Sequence, residues 1–176
     1  MSNGSDLLLR NALAVDPRSP FDGSRVDILI KGERISKIGP AGTLLPESET
    51  CVYEADNLHV SPGWTDMLAC LNQPGHEYKE TLSQLSQAAV KGGFAQVLCH
   101  PHTQPVADNS QMIRSLSLQA SGLPAQLLFC GTVSAGGEGK NLAELVDMSE
   151  AGATAFSDHI DALDKLVRIQ RQGKLT

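Results

Sequence analysis

Past Ser61-Pro62-Gly63 the sequence adopts a rhythm that few folds accommodate: a short apolar strand, then a helix, four times between residues 64 and 172. Trp64–Leu68 reads as the first strand. Thr81–Lys91 follows as a helix with Leu85, Ala88 and Ala89 on one side, stopped by Gly92-Gly93. Phe94–Cys99 is the second strand, and Asp108 or Asn109 caps a helix running to about Ala120 before Gly122-Leu123-Pro124. Ala125–Cys130 is the third strand, followed by a helix over Asn141–Ala151 that Gly152 closes. Ala153–Phe156 is the fourth strand, and Ile160, Leu163, Leu166, Val167 and Ile169 share one face of a helix over Ile160–Gln172. Strands alternating with helices of this length imply parallel pairing through right-handed crossovers. An open doubly wound sheet and one half of a (β/α)8 barrel both satisfy the pattern.

The first sixty residues have a different period. Leu7–Arg10 and Ala12–Val15 are short apolar runs ending at the turn signal Asp16-Pro17. Val26–Ile30 and Ile35–Ile38 are β-rich runs joined by a hairpin connection, Lys31-Gly32-Glu33-Arg34, and Gly39-Pro40 stops the second. Cys51–Ala55 and Leu58–Val60 add two more. The reading is therefore a small β domain over 1–60 and four βα units over 61–176.

Composition narrows the function classes. A hydrophobic fraction of 41% supports a core, and with only 4% aromatics that core is built from Leu, Val, Ile and Ala. A formal charge of −6 without any basic block argues against a nucleic-acid surface. No stretch approaches the roughly 18 consecutive apolar residues of a membrane span, and Met1–Asp6 has no apolar core of a signal peptide. A cytoplasmic location is expected. Cys51, Cys70, Cys99 and Cys130 are scattered with no C-x-x-C pair, so Cys51, Cys99 and Cys130 are expected to be small buried strand residues. The glycine-rich stretch Ser134–Lys140 lacks the G-x-x-x-x-G-K-[ST] pattern and reads as a loop.

In parallel α/β folds chemistry sits at the C-terminal strand ends. Those ends carry Asp66 to Gly75, Cys99-His100-Pro101-His102-Thr103-Gln104-Pro105, Gly131-Thr132-Val133 and Ser157-Asp158-His159. Ser61-Pro62-Gly63-Trp64-Thr65-Asp66, Gln73-Pro74-Gly75-His76-Glu77, Gly92-Gly93-Phe94, Pro101-x-Thr103-x-Pro105 and Ala151-Gly152-Ala153-Thr154-Ala155-Phe156-Ser157-Asp158 together resemble the dihydroorotase family of cyclic amidohydrolases. The segment Leu7–Ile38 resembles the small β domain that precedes the barrel in those proteins. The resemblance runs collinearly through nearly the whole chain and implies the first half of a TIM-type (β/α)8 barrel. It also implies that the chain is a piece of a longer protein, the remaining βα units lying beyond Thr176.

The family's first-strand motif is Asp-x-His-x-His-x-Arg, in which the histidines bind zinc and the arginine grips the substrate carboxylate. The resemblance places those three positions at Leu68, Cys70 and Asn72, with Asp66 retained. Leucine has no donor atom, a cysteine thiolate is able to bind zinc, and asparagine lacks the charged bidentate grip of arginine. A substrate-holding asparagine of the family falls at His102, and Asp158 matches an acidic metal-site residue of part of the family. The resemblance with these departures implies a dihydroorotase-like protein of pyrimidine biosynthesis that has lost its zinc and its catalysis. Its expected role is structural, through aspartate transcarbamoylase or self-association, with no cofactor. The alternative is an active cyclic amidohydrolase, interconverting dihydroorotate and carbamoyl aspartate, with a rearranged metal site drawn from Cys70, His100, His102 and Asp158. Against it stands the plain reading of His100 as a packed histidine and of His102 and His159 as polar loop residues.

Overall fold

The computed structural model describes residues 6–47, 49–101 and 103–158. The chain divides into two compact units between Pro62 and Gly63. The helix read over Ile160–Gln172 lies outside the described residues, as do His102 and His159.

The first unit is a five-stranded sheet of β1 (Leu7–Ala14), β2 (Arg25–Lys31), β3 (Arg34–Pro40), β4 (Cys51–Glu54) and β5 (His59–Val60). The order is β3-β2-β1-β4, with β5 also on β1. The hairpin closes where Lys31 pairs with Arg34. The two apolar runs at the start form one strand, not two, because the chain is kinked rather than broken between them. Register shifts between Leu9 and Ala12, and Asn11 adopts a φ of 55°, a left-handed conformation that asparagine tolerates better than most residues. One face packs Leu8, Leu29 and Leu44, the other Ala14, Val26 and Ile28. Cys51 departs from expectation. Its strand lies at the sheet edge with all four residues exposed, so its thiol is not buried.

A fully buried carboxylate, Asp27, holds the kink. It accepts the amide of Asn11 at 3.0 Å and that of Leu44 at 3.1 Å, with the amides of Gly42 and Thr43 alongside. Burial is the largest single influence and favours the neutral acid, yet the four backbone donors together outweigh it and hold the carboxyl below its ordinary value of 3.8.

The second unit is a parallel sheet of β6 (Trp64–Cys70), β7 (Phe94–His100), β8 (Gln126–Gly131) and β9 (Ala155–Phe156), in the order β6-β7-β8-β9. The helices α1 (Leu82–Lys91), α2 (Ser110–Gln119) and α3 (Leu145–Glu150) connect them. Thr81 caps α1 in a reciprocal box with Gln84, and Asn109 caps α2 by accepting the Met112 amide. Val97, Cys99, Leu127 and Phe129 face these helices and form one core with Leu82, Ala89, Ile113, Leu116 and Met148. Each fully buried Ile113, Leu116 or Met148 contributes about 1.5–3 kcal/mol. A buried serine ties helix to sheet: Ser86 Oγ accepts the Ala125 amide at 2.8 Å and donates to its carbonyl at 3.3 Å. On the opposite face a polar ladder crosses three strands near their N-terminal ends. Thr65 Oγ1 donates to Gln96 Oε1 at 3.2 Å, and Gln96 Nε2 donates to Gln126 Oε1 at 2.7 Å.

Two sequence expectations change here. β6 continues past Leu68 to Cys70. The helix expected over Asn141–Ala151 begins only at Leu145, because 141–143 are held in extended pairing with 133–135. Ser134 bridges Leu142, Ala135 N donates to Asn141 O at 2.8 Å, and Ala143 N donates to Val133 O at 2.9 Å. Among the described residues no helix is long and apolar enough to cross a membrane.

Replacing Asp27 with alanine strands its backbone donors in the interior and lowers stability by roughly 2–4 kcal/mol, measurable by urea unfolding. Because the native carboxyl is depressed, its contribution is complete above the ordinary carboxylate value and disappears as pH falls through the lower native value. The wild-type chain therefore loses stability across that acid window, and Asp27→Ala shows a flatter acid limb.

Candidate functional site

The C-terminal ends of β6, β7, β8 and β9 gather the residues that the sequence singles out. β6 is irregular there. Asp66 pairs with Val97 and Ala69 with Cys99, so Met67 and Leu68 together oppose Leu98 alone, which is a β-bulge. Asp66 supports it by accepting the Leu68 amide at 3.0 Å. Ala69 packs on the helix side, so alternation puts Leu68 and Cys70 on the other face. That face is open at Leu68, which is 63% exposed.

Beyond the bulge, Cys70 and His100 are register partners across the β6–β7 pair. Cys70 is exposed and His100 buried. Asn72 follows in the loop, where its carbonyl accepts the His76 amide at 2.7 Å. Cys99 points to the helix side and takes no part. Burial, reinforced by Cys130, Asp66 and Glu80, pushes its thiol up to about 12, and burial raises Cys130 as well.

The loops after β6 and β7 are locked together. Gln104 N donates to Pro74 O at 2.9 Å. Gln73 accepts the Leu82 amide at the start of α1 and donates to Gln119 at the end of α2, both at 3.0 Å. Gly75, at a φ of 102°, lies so close that a Cβ there would stand 2.6 Å from the Gln104 carbonyl oxygen. Glu77 accepts the Gly75 amide at 3.0 Å, and such backbone bonds hold its carboxyl below the usual range.

Asp158, just past β9, is engaged by the loop after β8. Its Oδ1 accepts the amides of Val133 and Ser134, each at 2.9 Å, and its Oδ2 accepts the Ser134 hydroxyl at 2.9 Å. The structure thus brings Cys70 and His100 together, keeps Leu68 on the same face, and ties Asp158 to a neighbouring loop. Among the described residues no three His, Cys, Asp or Glu side chains converge to hold a metal ion. Sequence reasoning missed Asp108. The sequence offers it as one of two cap candidates for α2, but Asn109 takes the cap and Asp108 Oδ2 accepts the Gly136 amide at 2.9 Å. The adjacent Asp-Asn pair is the signal, since only one of the two is able to occupy the cap.

Solved structures share this fold. The chain superposes on L-hydantoinase (dihydropyrimidinase) from Arthrobacter aurescens with a TM-score of 0.67 at 22% identity, over 86% of this chain and 32% of that one. It superposes on a dihydroorotase with a TM-score of 0.59 at 14% identity, over 86% of this chain and 42% of the other. At these identities the likeness establishes a shared fold and nothing further. Sequence carries the assignment further. Residues 58–171 match the family described as dihydro-orotase-like. A dihydroorotase of Syntrophus aciditrophicus is 37% identical over 153 residues, and one of Aquifex aeolicus is 34% identical over the same length. The chain belongs to the dihydro-orotase-like family. Each of those two alignments takes in 86% of this chain and 35% of the relative, so the chain spans about a third of the length of these proteins.

Gly75→Ala is expected to lower stability by roughly 1–3 kcal/mol through overpacking and left-handed strain. Faster amide exchange in the loops after β6 and β7, with α1 and α2 protected as before, would register it.

Proposed function

We propose that this chain forms the small β domain and the first half of a TIM-type (β/α)8 barrel in a dihydroorotase-like, cytoplasmic protein of pyrimidine biosynthesis whose zinc chemistry has been lost. Its role on this reading is structural, as a scaffold or partner of aspartate transcarbamoylase or through self-association. The strand order supports the barrel: β6 to β9 are laid down side by side without the reversal that marks a doubly wound sheet. The observation that carries the loss of chemistry is Leu68. It stands at the first family histidine position, on the face away from the helices, with only carbon to offer. Cys70 and Asn72 replace the second histidine and the arginine. Asp158 and Asp66 are engaged by backbone amides. A donor set of this kind does not fit the family's zinc centre. The purified full-length protein is expected to contain no stoichiometric zinc and to leave dihydroorotate and carbamoyl aspartate unchanged, and to co-elute with aspartate transcarbamoylase. Zinc-dependent turnover would overturn the reading, and separate elution would remove the proposed partner.

One observation favours a second reading. The register makes Cys70 and His100 neighbours across two strands, around which a rearranged centre would add His102 or Asp158. A cation there would supply an activated water for hydrolysis of a cyclic amide. On this reading Cys70→Ala and His100→Ala each strip bound metal from the protein. Metal content that is the same in both variants as in the wild type rules it out.

A further inference from the structure

The segment from Ser134 to Lys140 contains no apolar side chain larger than alanine, so no hydrophobic anchor orders it. Three of its residues, Gly136, Gly137 and Gly139, take φ values of 64°, 65° and 71°, a region open to glycine without steric cost, although ordering a glycine costs more backbone entropy than ordering any other residue. Its order comes from polar pins. Asp158 receives the Val133 and Ser134 amides and the Ser134 hydroxyl. The same hydroxyl oxygen accepts the Gly139 amide at 2.7 Å, so Asp158 reaches the far side of the loop through Ser134. Asp108 holds Gly136 from the other flank. The returning residues 141–143 are then delivered to their pairing with 133–135, which sets where α3 begins.

We propose that Asp158 is the latch of this glycine-rich strap, a positioning residue that fixes the end of β8 to the end of β9 and acts as an acceptor for backbone amides rather than as a residual metal ligand. The assignment deepens the proposed loss of zinc chemistry and rests on it in one respect: with no cation to hold, the carboxylate is free to serve the loop full time. A charged acceptor bonded to two amides and a hydroxyl is among the stronger single devices available to a loop.

Amide exchange in the full-length protein, measured alongside zinc content for the wild type, Asp158→Ala, Asp158→Asn and Ser134→Ala, tests it. Asp158→Ala is expected to speed exchange at Val133, Ser134 and Gly139 by about tenfold or more, with β7 and the α1 core unchanged. Asp158→Asn keeps a carbonyl oxygen for the two amides and is expected to restore most of the protection. Ser134→Ala speeds exchange chiefly at Gly139. Wild-type exchange rates in Asp158→Ala, or an asparagine variant no better protected than the alanine one, would overturn the latch. So would stoichiometric zinc in the wild type that both Asp158 variants lose. Stoichiometric zinc that both variants keep, with the exchange pattern as expected, supports the latch while overturning the loss of zinc.

Discussion

The pairing of β6 with β7 governs what the strand ends are able to do. β6 has no other strand partner among the described residues, so that ladder sets its register. The ladder is interrupted by the two-against-one bulge at Met67 and Leu68 and resumes at Ala69 with Cys99. Without the extra residue, alternation would turn Ala69 outward and drive Cys70 into the helix-facing core. With it, Cys70 arrives beside His100 on the open face. The acid that stabilises the bulge, Asp66, belongs to the family motif, and it does so through the backbone.

A common thread links the acidic residues. Asp27, Asp66, Asp108 and Asp158 each accept at least one main-chain amide, and each does so where the chain departs from regular structure: a kink, a bulge, a glycine-rich loop, the end of a strand. Irregular backbone has donors that no ladder satisfies, and a carboxylate with two oxygens is suited to collecting them. Acidic residues at such places are thus explained by geometry before any chemistry is invoked.

Much of the second unit was legible because its signals are local. Strand and helix periods alternate cleanly, and Gly92-Gly93 and Gly152 mark ends where the helices do stop. What was not legible depends on contacts between distant segments. Nothing near Asn11 announces that Asp27 will hold it, so one strand read as two. Nothing near Asn141 announces pairing with residues 133–135, so a helix read four residues too early. Cys51 has the apolar neighbours of a buried strand residue, but its strand is an edge. The site was legible as a set of strand ends through a resemblance, whereas the bulge that orients Leu68 and Cys70, and the pairing of Cys70 with His100, arise from strand pairing between segments distant in sequence.

The amide ladder from Thr65 through Gln96 to Gln126 gives the sheet two unlike ends. Where it runs, sliding one strand by a single residue would break both side-chain bonds and turn Gln96 toward oily neighbours. Alignment is therefore keyed at the end remote from the residues that chemistry would use. A sheet keyed in that way tolerates wholesale replacement at its opposite rim, much as a ruler clamped at one end keeps its graduations whatever is written at the other. Catalytic groups are then able to vanish from such a scaffold without any strand losing its place.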